Sequence, residues 1–449
     1  MSERQRVVFI ANRGEIAARV LRTVRELGHR GAVAFPAVDA DLPYVMAADL
    51  TVELSGPRDF GDVEAMVAAA RSAGADLVHP GYGFLSENAA FARAVEAAGM
   101  AFVGPSPDVI ELMGDKASAR TAAVRAGLAV APGSDGAVET VDEARRVALE
   151  AGYPVMLKAV AGGGGIGMAV VPDAASFDRA FESVTSRAAS VFGDSRVIVE
   201  RYIERSRHIE VQVMGLPGGR AVALSERDCS VQRRHQKVVE ESPSPALDPE
   251  SRASLLRRAA ALTESVGYVG AGTIEFIHDL DSGESFFLEM NTRLQVEHPV
   301  TEAVHGVDLV AWQLSIATGD PTVPELSVEP QGHAIELRLY AEDSERFLPR
   351  PGAIETWRMP DGEGVRVDAG YADGTVVTPF FDPLLAKVIV WAPSRAEAIE
   401  RARAALERTE IVGPGSNLGF LARVLTEPEF VDATHDTGIV GRMTATPVR

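Results

Sequence analysis

Apolar and polar positions along this chain switch between two periods, and the switches mark its elements. Val7 to Ala11 is a short apolar run. From Gly14 to Gly28 the apolar positions recur at helical spacing until glycine ends the pattern. Strand-like runs at 31–35, 76–79 and 101–103 alternate with helical patterns at 62–73 and 88–98. Such alternation predicts an open, largely parallel sheet with helices on its faces. The first turn, Ala11-Asn12-Arg13-Gly14-Glu15, lacks the three-glycine dinucleotide fingerprint, which argues against a nicotinamide enzyme. His79 to Asn88 follows a strand where open sheets tend to bind ligands, although most such Gly/Pro stretches are only turns.

A second segment opens near Met113-Gly114-Asp115-Lys116, with a helix after Lys116. Pro154 to Lys158 predicts a strand, Ala161 a turn, Gly162 to Gly167 a loop, and Met168 to Val171 a strand again. The lysine precedes the glycines and a strand follows them, so this is not a P-loop. It reads either as a flap whose backbone N–H groups cover phosphates or as a plain flexible hairpin. Arg207 to Val213 alternates with His208, Glu210 and Gln212 on one face, and the charged run Glu226 to Lys237 follows. Such a run is ordinarily solvated surface. A helix at 250–266 leads into a hairpin, and another at 306–318 follows it. Past Pro321 and Pro324 a strand-rich segment starts with His333 to Tyr340, which puts Glu336, Arg338 and Tyr340 on one face. Ser394-Arg395-Ala396-Glu397 is a capping box for a helix over 394–407.

That hairpin carries the densest chemistry. Its first strand is Gly272 to Ile277, its loop His278 to Ser285, and its second strand starts at Phe286. A period of two through Glu297 puts Leu288, Met290, Thr292, Leu294 and Val296 towards the core. Glu289, Asn291, Arg293, Gln295 and Glu297 take the other side. Symmetric closure sets Glu275 opposite Glu289, and paired like charges are destabilising unless a cation lies between them. Mg²⁺ suits carboxylate oxygens, with Asn291 as a further ligand, and this reading is favoured over a solvated hairpin whose acids never meet.

Composition narrows the function without naming it. A chain of 449 residues predicts two or three domains. A net charge of −20 argues against general nucleic-acid or anionic-membrane binding, and no aromatics interleave the basic run as a nucleic-acid groove requires. Cys229 is the only cysteine, which rules out an internal disulfide and predicts a small buried hydrophobe in a reducing compartment. With no apolar run of membrane-spanning length and no secretory leader, the expected location is the cytoplasm.

Four ordered motifs together, Lys158 with its glycines, Arg207 to Val213, Glu226 to Lys237 and Glu289 to Glu302, resemble biotin carboxylase, the ATP-grasp component of biotin-dependent carboxylases. The likeness runs from about Val7 to about Leu425, and Glu-Met-Asn-Thr-Arg-Leu-Gln-Val-Glu-His-Pro is its most specific part. It implies an α/β and α+β protein of three domains: a Rossmann-like one over 1–114, an ATP-grasp domain over 115–325 with a mobile lid at about 131–203, and a strand-rich C-terminal domain over 326–449. It implies that Lys116 and Lys158 bind ATP phosphates, that Gly164 and Gly165 lie in the lid, and that Glu200, Arg201, Tyr202 and Ile203 border the adenine. His208, Gln232 and His235 would line the nucleotide pocket, and Glu275, Glu289 and Asn291 would hold two Mg²⁺, with Mn²⁺ as a substitute. Lys237, Arg293, Gln295 and the Val296 backbone would hold bicarbonate, Glu297 would be its base, and Arg338 would face the biotin ureido oxygen.

The implied reaction is the first half-reaction of an acyl-CoA carboxylase, such as feeds fatty acid biosynthesis. The expected partners are a biotin carboxyl carrier protein and a carboxyltransferase on other chains, and a second copy in a homodimer. No Met-Lys-Met biotinylation site is present, so the biotin is expected on another polypeptide. Ile166 stands where the family usually has a basic residue, Phe380-Phe381-Asp382 where two tyrosines precede aspartate, and Val412 to Asn417 where Gly-Val-Lys-Thr-Asn is common. Two other readings compete: a nucleotide-binding assembly subunit that has lost catalysis, and a carbamoyl-phosphate-type ligase.

Overall fold

The structure, a computed structural model, describes residues 5–160, 167–319 and 329–445. The glycine run with Gly164, Gly165 and Ile166, and Pro321 and Pro324, lie outside the described residues.

Strands β1 (Val7–Ile10), β2 (Arg30–Pro36), β3 (Leu50–Leu54), β4 (Leu77–His79) and β5 (Ala101–Phe102) form a parallel sheet in the order β3-β2-β1-β4-β5. The helix Gly14–Glu26 buries Ile16, Ala17, Val20, Leu21 and Val24 at helical spacing, and the chain leaves it through Gly28 at a φ of 74°. Asp62 and Asn88 cap the helices Val63–Ser72 and Ala89–Ala97 by accepting backbone N–H bonds. Each helix thus starts one residue inside its expected boundary. β3 was not expected, and its polar Thr51 and Glu53 are exposed at the sheet edge.

A second sheet, in the order β7-β6-β8, contains β6 (Val155–Ala159), β7 (Met168–Val171) and β8 (Val197–Arg201). The helices Val141–Ala151 and Phe177–Phe192 cover it with a core of its own, including Val147, Leu157, Phe177 and Val199.

The third sheet positions the site. It has eight strands in the order β13-β12-β9-β10-β11-β14-β19-β17. They are β9 (Ser206–Leu216), β10 (Arg220–Arg233), β11 (Gln236–Ser242), β12 (Gly270–Asp279), β13 (Ser285–Asn291), β14 (His333–Tyr340), β17 (Val365–Ala369) and β19 (Leu384–Ala392). The short strands β15 (Gly352–Ala353) and β18 (Val376–Val377) pair with each other, as do β16 (Thr356–Arg358) and β20 (Glu410–Val412). Strands from both sides of residues 320–328 therefore share one ladder, through the β11–β14 pairing.

Three expectations need correction. The run Glu226 to Ser230 is not surface but fully buried, because Arg227 on β10 pairs with Glu210 on β9. The strand expected to continue through Glu297 stops at Asn291, and the helix His298–His305 begins seven residues later. Gly306 ends that helix at a φ of 64°, so the helix expected at 306–318 instead starts at Leu309 with Asp308 as its cap. The capping pair at 394–397 forms, with Ser394 accepting the Glu397 backbone N–H and donating to the Glu397 side chain at 2.8 Å.

On the face of β11 away from the site, Glu241 is clasped by His333 at 2.7 Å and Arg395 at 2.6 Å. Burial alone would raise its carboxyl, but these two partners hold it well below the usual carboxylate range. A depressed folded pKa means stability that is complete above the unfolded value, about 4.3, and lost as pH falls through the lower one. Glu241→Gln is expected to cost about 3–5 kcal/mol at neutral pH, the scale for breaking a buried pair. Chemical denaturation at descending pH should show the gap from wild type closing.

Candidate active site

The hairpin register decides where the acids go. Glu275 on β12 is the direct partner of Glu289 on β13, and Thr273 of Asn291. A register shift then pairs Phe276 with Phe287 and leaves Leu288 as an extra residue. The core side of β13 is therefore Phe287 and Met290, three residues apart, while Leu288 is half-buried at the cleft. β11 repeats the device. Val231 pairs with Val239 but Gln232 with Lys237, so Val238 is extra and Lys237 shares a face with Glu240.

That face is an ionic floor centred on Lys237. Its ammonium donates to Glu275 at 2.8 Å and to Glu297 at 2.6 Å, and also bonds Glu210. Burial opposes this charge, but the three carboxylates hold the ammonium well above its ordinary value. Glu275 also accepts from Asn291 at 3.0 Å and Gln295 at 3.3 Å, and its other oxygen is 3.1 Å from His208. Burial would raise the Glu275 carboxyl, yet Lys237 and His208 hold it far below the carboxylate range. The second oxygen of Glu297 takes a bond from Arg338 at 2.9 Å. Burial again works the other way, and Lys237, Arg338 and Arg227 keep this carboxyl depressed.

The loop between β13 and the next helix is fixed from a distance. Glu87, on the turn before the helix Ala89–Ala97, accepts from the Thr292 backbone at 3.2 Å and from Arg293 at 2.9 Å. This explains why the alternation breaks after Asn291: the Thr292 N–H is bonded to another part of the protein. Arg293 further donates to Asn291 at 2.9 Å and to Gln295 at 3.2 Å. From beneath, Lys387 on β19 donates to the Val296 carbonyl at 2.7 Å and pairs with Glu15, which Tyr82 also bonds.

A cleft of about 1740 Å³ lies over this floor and under the second sheet. Lys116, Lys158, Glu200, Arg201, Tyr202, Ile203, His208, Gln232, His235, Lys237, Glu275, Glu289, Asn291, Arg293, Gln295, Val296 and Arg338 all line it. Lys116 opens the helix Lys116–Arg125, where burial lowers its pKa. Lys158 bonds Glu200, whose other oxygen holds Arg120 at 3.0 Å. Gln232 donates to the Cys229 carbonyl at 2.8 Å, and His235 sits exposed in the turn between β10 and β11 at a φ of 67°. Glu297 differs from its companions. It is fully buried behind Lys237 and Arg338, so an anion reaches it only by displacing or sharing those cations.

The donor set fits a hard cation at Glu289. This carboxylate has no hydrogen bond or ion pair among the described residues. Burial and then Glu275 push its pKa up, while Lys116 and Lys158 pull it down. Glu275 also meets Lys237 and His208, while its charge still pushes the Glu289 carboxyl up. Residues not singled out by sequence are Glu210, Arg227, Glu240, Glu87 and Lys387. Glu210 carried a signal in its place beside His208 on an alternating strand, Glu87 in the stretch His79 to Asn88 and Arg227 in the motif Glu226 to Lys237, whereas Glu240 and Lys387 carried none.

Three family descriptions match the chain: biotin carboxylase, N-terminal domain over 4–110, carbamoyl-phosphate synthase L chain, ATP binding domain over 115–324, and biotin carboxylase C-terminal domain over 336–442. A biotin carboxylase of Halalkalibacterium halodurans is 47% identical over 439 residues, 96% of each chain. The biotin carboxylase of Campylobacter jejuni, solved as a β-γ-ATP complex, superposes with a TM-score of 0.95 at 40% identity, covering 98% of this chain and 99% of that one. The biotin carboxylase domain dimer of Hydrogenobacter thermophilus 2-oxoglutarate carboxylase, in complex with MgADP, ADP and bicarbonate, matches with a TM-score of 0.95 at 41% identity over 99% of both chains. With its sheets, cleft and ionic floor in agreement with these matches, the chain belongs to the biotin carboxylase family and is an ATP-dependent ligase.

Proposed function

We propose that this protein uses ATP and bicarbonate to carboxylate biotin borne by a separate carrier protein, through carboxyphosphate. The observation that carries the reading is the Lys237 ammonium shared by Glu275 and Glu297 while Arg338 holds the second oxygen of Glu297. In this reading residues 1–114, 115–325 and 326–449 act as three domains, with the lid at about 131–203 closing over the nucleotide.

Lys116 and Lys158 take the ATP phosphates; Gly164 and Gly165, outside the described residues, are assigned to the lid by the family resemblance. Glu200, Arg201, Tyr202 and Ile203 border the base, with His208, Gln232 and His235 along the same wall. Glu289, Glu275 and Asn291 would hold Mg²⁺, whose charge offsets that of the triphosphate. Arg293, Gln295, the Val296 backbone and Lys237 receive bicarbonate. As the anion draws Lys237 away, Glu297 becomes more basic and takes the bicarbonate proton. The freed oxygen attacks the γ-phosphorus, the bond to ADP breaks, and ADP leaves. Carboxyphosphate then gives CO₂ and phosphate in a closed site. The phosphate removes the N1 proton of biotin, and Arg338 stabilises the negative ureido oxygen while N1 attacks CO₂.

For this chain we infer a carboxyl carrier, a carboxyltransferase, a homodimer and the cytoplasm. No helix among the described residues is long and apolar enough to cross a membrane. ADP release assayed with bicarbonate is expected to rise with free biotin. Release that ignores biotin but rises with ammonia would replace this reading with a carbamoyl-phosphate-type ligase, and ATP binding without turnover, even with carrier, would replace it with an assembly subunit.

A further inference from the structure

Behind Arg338 lie two acids to which the proposed mechanism gives no role. Glu240 on β11 and Glu336 on β14 are direct partners in the antiparallel ladder, which sets their Cβ atoms about 4.5–5.5 Å apart. Both are fully buried. Neither oxygen of Glu336 receives a hydrogen bond, and Glu240 touches Arg338 at 2.6 Å without the alignment of one. Two adjacent carboxylates so short of donors cannot both stay ionised at ordinary cost.

We propose that Glu240 and Glu336 hold one proton between them at neutral pH, and that this single negative charge, rather than two, sets the potential of the Arg338 guanidinium facing biotin. The proposal rests on the reading of Arg338 given above. The surroundings match it. Lys237 lies on the same strand as Glu240, Lys387 comes from β19, Glu297 from the loop above, and Arg227 on β10 is committed to Glu210. His298, on the helix packed against β14, is kept neutral by burial and by Lys387. Burial moves Glu240 up to about 7 and Glu336 well above the carboxylate range, with Arg338 and Lys387 pulling the other way. In such a pair the titration belongs to both residues. Because the folded values are raised, the proton is kept at low pH and lost as pH rises, and its loss puts a second negative charge beside Arg338.

The test compares wild type with Glu336→Gln, which mimics a protonated acid, and with Glu240→Gln as a second variant. Infrared spectra of wild type at about pH 7 should contain a protonated carboxyl band that vanishes as pH rises and is missing from the Gln variants. Biotin-stimulated ADP release in wild type should fall on the alkaline side by about tenfold, the scale of one pKa unit of interaction. In Glu336→Gln, which has no shared proton to lose, that fall should be absent, with biotin-independent hydrolysis as the internal reference. A spectrum without the band, or a band and alkaline limb unchanged in both variants, would overturn the proposal. The band does not depend on turnover, so it survives if the biotin reading itself is wrong.

Discussion

Glu297→Gln is expected to lower biotin-dependent ADP release by about 10²–10⁴-fold, the range that a positioned general base contributes. The amide keeps the shape but cannot take a proton. Nucleotide binding should be unchanged, because Glu297 does not line the cleft. The pH profile carries the sharper content. Lys237, Arg338 and Arg227 hold the carboxyl depressed against the opposing effect of burial, so Glu297 stays ionised throughout the neutral range. The acidic limb of wild-type kcat/KM for bicarbonate, which reports the enzyme before the anion draws Lys237 away, should therefore lie below the ordinary carboxylate value rather than near pH 7. A limb at neutral pH that persists in Glu297→Gln would assign the base elsewhere.

Lys237→Met should have the second large effect, on stability and rate together. Removing the ammonium leaves Glu210 with Arg227, Glu275 with His208, and Glu297 with Arg338, so three buried carboxylates each lose a partner. Breaking a buried pair costs about 3–5 kcal/mol. Denaturant unfolding should show a loss on that scale, smaller if two of the acids take up protons. Since stability regained by protonation appears as pH falls, the variant should differ least from wild type in mild acid. Its ADP release should drop by at least about 10²-fold, the loss expected when a group stabilising transition-state charge is removed. A variant as stable as wild type would show that the ammonium does not hold the acids together.

How much of this was legible in sequence depends on how local each feature is. The pairing of Glu275 with Glu289 follows from alternation and loop length, both contained in some twenty residues, and the register has it. The parallel sheet of the first segment follows from its alternating periods. The extra residues Leu288 and Val238 were not legible, because a bulge is a property of two strands at once. Nor was the end of β13, which depends on Glu87 more than two hundred positions away. Arg227 was misread as surface for the same reason: its partners Glu210 and Gln212 sit on the neighbouring strand, and Thr273 and Thr301 lie farther along the chain. Nor were Lys237 and His208 legible as partners of Glu275, because both reach it from other strands.

The central claim is that bicarbonate, once Glu297 has its proton, attacks the γ-phosphoryl group. Bicarbonate labelled with heavy oxygen tests this directly. If carboxyphosphate forms, one labelled oxygen is carried into the inorganic phosphate released with ADP, and the transfer disappears in Glu297→Gln. Phosphate released without label at the wild-type rate would mean that water, not bicarbonate, attacks ATP, and would contradict the account.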